Sequence, residues 1–114
     1  MSRIRSDFWV AAHLRRCAAE GLDAVLRRRG AAEAGAIFVK LDRLDGTASL
    51  YGPAPQSLLD EDQGGRLFTP LLEAAPALDI EDRMRREIRF DPDLWWIEIE
   101  DRAGRHFLEL ARDA

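Results

Sequence analysis

The sequence predicts an α+β domain, with an antiparallel, hairpin-rich sheet and two main helices packed on one face. Three observations carry this. Asp45-Gly46 separates two apolar runs and is the strongest short hairpin signal in the chain. The run Leu94-Trp95-Trp96-Ile97-Glu98-Ile99-Glu100 is aromatic and β-branched, suited to a pleated, half-buried surface. Apolar residues recur at helical spacing near each end, over 7–20 and 79–90.

Taken in order, Val10, Leu14, Cys17 and Ala18 form the stripe of the first helix. Ser6 or Asp7 is placed to cap it and Gly21 to stop it. Residues 22–29 read either as a continuation of that helix or as a strand. In the hairpin, residues 36–43 and 47–52 flank a two-residue loop. That loop pairs Leu41 with Leu50 and puts Ile37, Val39, Leu41, Ala48 and Leu50 on one face. Residues 53–65 form a flexible polar loop rich in Pro and Gly. Residues 66–69 suit a brief strand, and 70–75 a helical turn ended by Pro76. Asp79 caps the second helix, whose Ile80, Met84 and Ile88 line one side. The chain then forms a C-terminal hairpin, 94–100 against 105–110, reversing at Asp101-Arg-Ala-Gly104.

The 114 residues, 46% hydrophobic and 33% charged, suit a single globular domain spanning 1–114. No apolar run is long enough for a bilayer, and the N-terminus has no signal-peptide core. With Cys17 as the sole cysteine, no intramolecular disulfide forms, and a reducing cytoplasm is the expected compartment. The net charge of −4 is unevenly spread, because residues 1–29 hold seven arginines against three acids. A basic end on an acidic body suits an anionic partner or an internal match between first helix and sheet.

Three constellations could carry chemistry. His13 and Cys17, four apart on a helix, could supply metal ligands or a base beside a thiol, yet no signature surrounds them and helix-face coincidence is the stronger reading. Trp96, Glu98 and Glu100 share a strand face, and His106 on the expected partner strand could join them as an interaction surface or an acid/base pair. A solvated sheet face is the simpler account. Arg15, Arg16, Arg27, Arg28 and Arg29 suit nucleic-acid phosphates if they converge, but no aromatics are interleaved with the 27–29 triplet. Phosphate-loop, dinucleotide and nucleophile-elbow patterns are absent, and no metal or other cofactor is expected.

Phe8-Trp9-Val10, Val39-Lys40-Leu41, Arg43-Leu44-Asp45-Gly46-Thr47 and Phe90-Asp91-Pro92-Asp93-Leu94-Trp95, in this order, resemble a domain-of-unknown-function family of small alphaproteobacterial proteins. The resemblance covers nearly the whole chain except 53–75. It implies a bacterial, cytoplasmic protein with no assigned activity, and it favours a strand at 23–29. The leading expectation is a small non-catalytic binding or regulatory module that acts through protein contacts, with an unidentified partner or as a homodimer. A nucleic-acid-binding module and a small hydrolase-like enzyme are the alternatives. Abundant Trp and Arg, enriched at interaction hot spots, motivate the first.

Overall fold

Helix α1 (Ser6–Ala19) ends where Gly21 takes a φ of +79°. The Gly21 amide then bonds the Ala18 carbonyl and the Leu22 amide the Cys17 carbonyl, a Schellman stop. The structure, a computed structural model, describes residues 4–55 and 66–111. After α1 come β1 (Asp23–Arg28), β2 (Ile37–Asp42), β3 (Thr47–Pro53), β4 (Phe68–Pro76), α2 (Ala77–Phe90) and β5 (Trp95–Glu100). They form one mixed sheet of order β1-β5-β2-β3-β4, antiparallel throughout except for the parallel β2–β5 pair. The class is α+β, and residues 23–28 are a strand. Most of the expected 53–65 loop, residues 56–65, lies outside the described residues.

The helices lie on opposite faces of this sheet, not on one. Ile37, Val39, Leu41, Trp95, Ile97 and Ile99 pack with Val10 and Cys17 of α1. Phe38, Ala48, Leu50 and Trp96 pack with Ile80 and Met84 of α2. Strand side chains alternate, so these two sets occupy opposite faces, and each apolar face needs its own cover.

A one-residue difference in the β2–β3 register underlies this. Leu41 pairs with Ser49 and Lys40 with Leu50, so Leu50 and Ala48 point away from the face that holds Leu41. The loop has three residues, because Arg43 donates its amide to the Thr47 carbonyl. Two carboxylates shape it: Asp42 accepts the Leu44 amide at 2.8 Å, and Asp45 accepts the Thr47 amide and hydroxyl at 2.9 and 2.6 Å. These side-chain bonds outcompete the two-residue turn.

Three further elements differ from the sequence reading. Residues 70–75 belong to β4, not to a helical turn; Pro70 and Pro76 are tolerated because β4 is an edge strand. Helix α2 starts at Ala77, with Pro76 as a preceding residue that makes no side-chain cap, and α1 likewise lacks a side-chain cap. The α1 entrance is held instead by loop carbonyls: the Ser6 amide bonds Glu33 O and the Asp7 amide Ala32 O. Finally, residues 105–110 do not pair with β5. Both ladder sides of β5 are taken, by β1 and β2, so the chain turns at Asp101 and crosses to a single bridge between Leu110 and Phe68.

The 29–36 connection passes over the start of β5 at backbone contact distance. Ala31 bonds Asp93 O, and Trp95 donates its indole N–H to Ala31 O at 2.7 Å. A Cβ on Gly30 would run into the backbone of Asp93 and Leu94, whereas one on Gly21 meets open space. Gly30→Ala should therefore destabilise the fold by about 3 kcal/mol or more, as backbone overpacking. Gly21→Ala should cost only about 1–2 kcal/mol, from its left-handed φ. Urea unfolding of the two variants measures the difference.

Candidate functional site

On the α2 side, four ionic groups from four elements meet. Arg27 (β1) bonds both oxygens of Glu81 (α2) at 2.8 and 3.2 Å and one oxygen of Glu98 (β5) at 2.5 Å. Lys40 (β2) lies 2.8 Å from Glu81 and 3.6 Å from Glu98. The Arg27 guanidinium sits 3.9 Å above the Trp96 ring centroid. Lys40 keeps only 6% of its side chain exposed and Glu98 13%, whereas Arg27 and Glu81 keep 31% and 24%, so this is a charge-balanced quartet with a dry inner pair and a wetter outer one. Arg27, and then Lys40, hold the Glu81 carboxyl below the usual carboxylate range.

This arrangement reassigns the expected carboxylate pair. Both oxygens of Glu98 face cations, so Glu98 joins the elements together and is not left to exchange a proton with a substrate. Glu100 lies beyond it with Asp42, and ligand atoms of Asp42, Glu98 and Glu100 come within 4.8 Å of one another. All-carboxylate ligands suit only a hard cation such as Mg²⁺ or Ca²⁺, and Glu98 is already committed to the quartet. A hollow of about 190 Å³ borders Glu98 and Glu100, shared with Asp23 and Val25 of β1. His106 is not there: its ring packs 4.9 Å from Tyr51, on the α1 side of the sheet.

The five arginines do not form one surface. Arg27 is spent in the quartet, and Arg28 donates to Pro92 O at 2.7 Å. Arg29 lies over Trp95 and Arg16 over Phe107, both on the other face. Arg15 is exposed on α1.

On the α1 side the structure shows a site that sequence spacing does not reveal. A cleft of about 510 Å³ lies between α1 and the segment after β5, walled by Trp9, His13, Arg16, Arg66, Phe107 and Glu109. His13 stacks on Trp9 at 4.5 Å and donates its Nε2–H to the His106 carbonyl at 2.9 Å. His106 Nδ1 accepts the Leu108 amide at 2.8 Å. Between these two bonds Phe107 is held at a φ of +58°, a strained conformation for an aromatic residue. Cys17, fully buried with its thiol pushed up by burial, is a core residue and takes no part. One signal in the sequence does mark the quartet: Lys40 is the only lysine and interrupts the apolar run from Ile37 to Leu41.

Two outcomes follow from these geometries. Lys40→Met should destabilise by about 3 kcal/mol, because it removes a buried cation and leaves two half-buried carboxylates with one. Glu100→Gln should stay within about 0.5 kcal/mol, and urea unfolding compares them. Burial lowers the pKa of both His13 and His106. Depressed imidazoles favour the folded state above their ordinary value near 6.5 and lose that contribution as pH falls below it, by up to about 1.4 kcal/mol per pH unit for each ring. Thermal melts should show stability falling from pH 7.5 to 5.5, and less steeply in a His13→Gln, His106→Gln double variant.

Comparison with known proteins bears on the whole chain. A family model described as "Protein of unknown function (DUF1491)" matches residues 4–109. A crystal structure of a DUF1491 family protein from Caulobacter crescentus is 38% identical, covers 97% of this chain and 98% of its own, and superposes with a TM-score of 0.79. The solution structure of a protein from A. tumefaciens is 39% identical, covers 98% of both chains, and has a TM-score of 0.83. Among curated proteins there is no match. Both organisms are alphaproteobacteria. On sequence match over nearly its full length and on shared fold, the chain belongs to DUF1491, a family of unknown function.

Proposed function

We propose that the protein is a small non-catalytic binding module that acts in the cytoplasm through protein contacts, with the β1 edge as its contact strand. The observation that supports this is the contrast between the two edges of the sheet. Edge β4 carries Pro70 and Pro76, two register irregularities against β3 and a left-handed Ala74. At its start it is also covered, because Phe68 bonds Glu109 O and the Ala111 amide bonds Phe68 O. Proline, bulges and a covering segment are the devices that keep edges from pairing.

Edge β1 has no proline and no covering segment among the described residues, and its single register irregularity falls near its end, between Leu26 and Arg28. Its outward backbone groups take part in no other bond there. Val25 is 55% exposed and Leu26 37%. A strand of a partner protein, or of a second copy of this chain, can add there through main-chain bonds, with Val25 over the adjoining hollow.

Affinity capture from native lysate, with sedimentation of the purified chain, tests this. The wild type should hold a stoichiometric partner or self-associate. Val25→Lys should weaken that association at least tenfold while changing stability by no more than about 0.5 kcal/mol. Capture or self-association unchanged by Val25→Lys, or absent in the wild type, would overturn the reading.

A further inference from the structure

We propose that the cleft between α1 and the segment after β5 is a binding site for a small organic anion, a carboxylate or phosphate monoester on a flat apolar body. This does not depend on the β1 edge, which lies at the far margin of the sheet from β4 and its covering segment. At about 510 Å³ the cleft falls within the range of small-molecule sites. Trp9, Phe107 and Leu108 supply its apolar surface.

Among the cations and histidines that line the cleft, the donor inventory singles out one group. His13 Nε2 is spent on the His106 carbonyl, and His106 Nδ1 on the Leu108 amide. Arg66 is buried and reaches Ser6 Oγ at 2.7 Å and Ile4 O at 3.2 Å, inside the entrance of α1. Arg16 differs. Among the described residues its side chain has no hydrogen bond and no ion pair, only the Phe107 ring 4.7 Å from its Cζ. In a chain with an acidic excess, the guanidinium lies over an aromatic wall, and no described residue takes its N–H groups. That geometry suits bidentate capture of a planar carboxylate or a phosphate.

The surroundings favour an anion too. Arg16 and Arg66 line the cleft against one carboxylate, Glu109, which is exposed. The wall that carries Phe107 is also the strained one. Two histidine-mediated bonds and the Arg16 contact hold Phe107 at positive φ, and strain held in this way concentrates at ligand sites. The His clamp thus sets the wall, and Arg16 supplies the charge.

The test is an NMR titration of the ¹⁵N-labelled full chain with phenyl phosphate, benzoate, inorganic phosphate and benzyl alcohol. The Phe107 and Leu108 amides and the Arg16 Nε–H are followed. Phenyl phosphate, benzoate or both should shift these signals saturably at millimolar concentration, and their ratio distinguishes a phosphate from a carboxylate ligand. Inorganic phosphate and benzyl alcohol, each lacking half of the recognition, should bind at least tenfold more weakly. Arg16→Gln should weaken the aromatic anion about tenfold, and Arg15→Gln should leave it unchanged. Absence of saturable shifts with both aromatic anions, shifts centred on Arg28 and Arg29 instead, or equal affinity in Arg16→Gln would each overturn the proposal.

Discussion

The last strand enters the middle of the sheet, and most other features follow from that insertion. Strand β5 pairs antiparallel with β1 on one side and parallel with β2 on the other. It is buried on both faces, from Trp95 and Trp96 through Ile97 and Ile99. A strand so placed needs cover above and below, which α1 and α2 provide. The chain between β1 and β2 must then arch over the start of β5, and Gly30 and Gly35 allow that close approach. With both ladder sides filled, nothing after Glu100 can fold back along β5, so the C-terminal segment is pushed across to α1 and β4.

The ionic quartet acts on the same insertion. Taking Lys40 and much of Glu98 out of water is costly, and a well-packed apolar replacement is often no less stable. What the quartet adds is discrimination between registers. Lys40 and Glu98 are directly opposed in the parallel pair, with Glu81 above and Arg27 beside them. A one-residue slip of β5 would send Glu98 into the apolar layer under α1 and strand Lys40 without its partner. An apolar-only interface between β2 and β5, built of Ile, Val, Leu and Trp, would tolerate that slip far better.

The local elements were legible in the sequence because each rests on short-range rules. The stripe Val10-Leu14-Cys17, the Gly21 stop, the two strands around Asp45-Gly46 and the Trp95–Ile99 run all stand where spacing and propensity put them. Arrangement was less legible. Ile37-Phe38-Val39 and Trp95-Trp96-Ile97 are continuous apolar runs, a pattern of burial on two faces, but a hairpin reading assigns them one. The register moved by one residue because Asp42 and Asp45 bond loop amides, a competition that dipeptide turn signals do not include. The candidate site dissolved for a related reason. Glu98 and Arg27 are 71 residues apart while His106 is close to Glu98 in sequence, and only the strand order decides that the first two meet while His106 lies on the opposite face. The cleft depends on a left-handed Phe107, for which the sequence has no glycine or asparagine to give warning.

A central strand that comes last in the chain also bears on how the protein is made. Strands β1 and β2 are neighbours in sequence yet share no ladder, and each waits for β5 on its inner side. Until residue 100 has left the ribosome, only the β2-β3-β4 meander can pair, with the inner edge of β2 open. Contacts such as Asp23 with Glu100 span about two-thirds of the chain, and closing such separations slows folding. The open, apolar side of β2 is thus a transient hazard of synthesis, and it disappears when the β5 strand closes the gap.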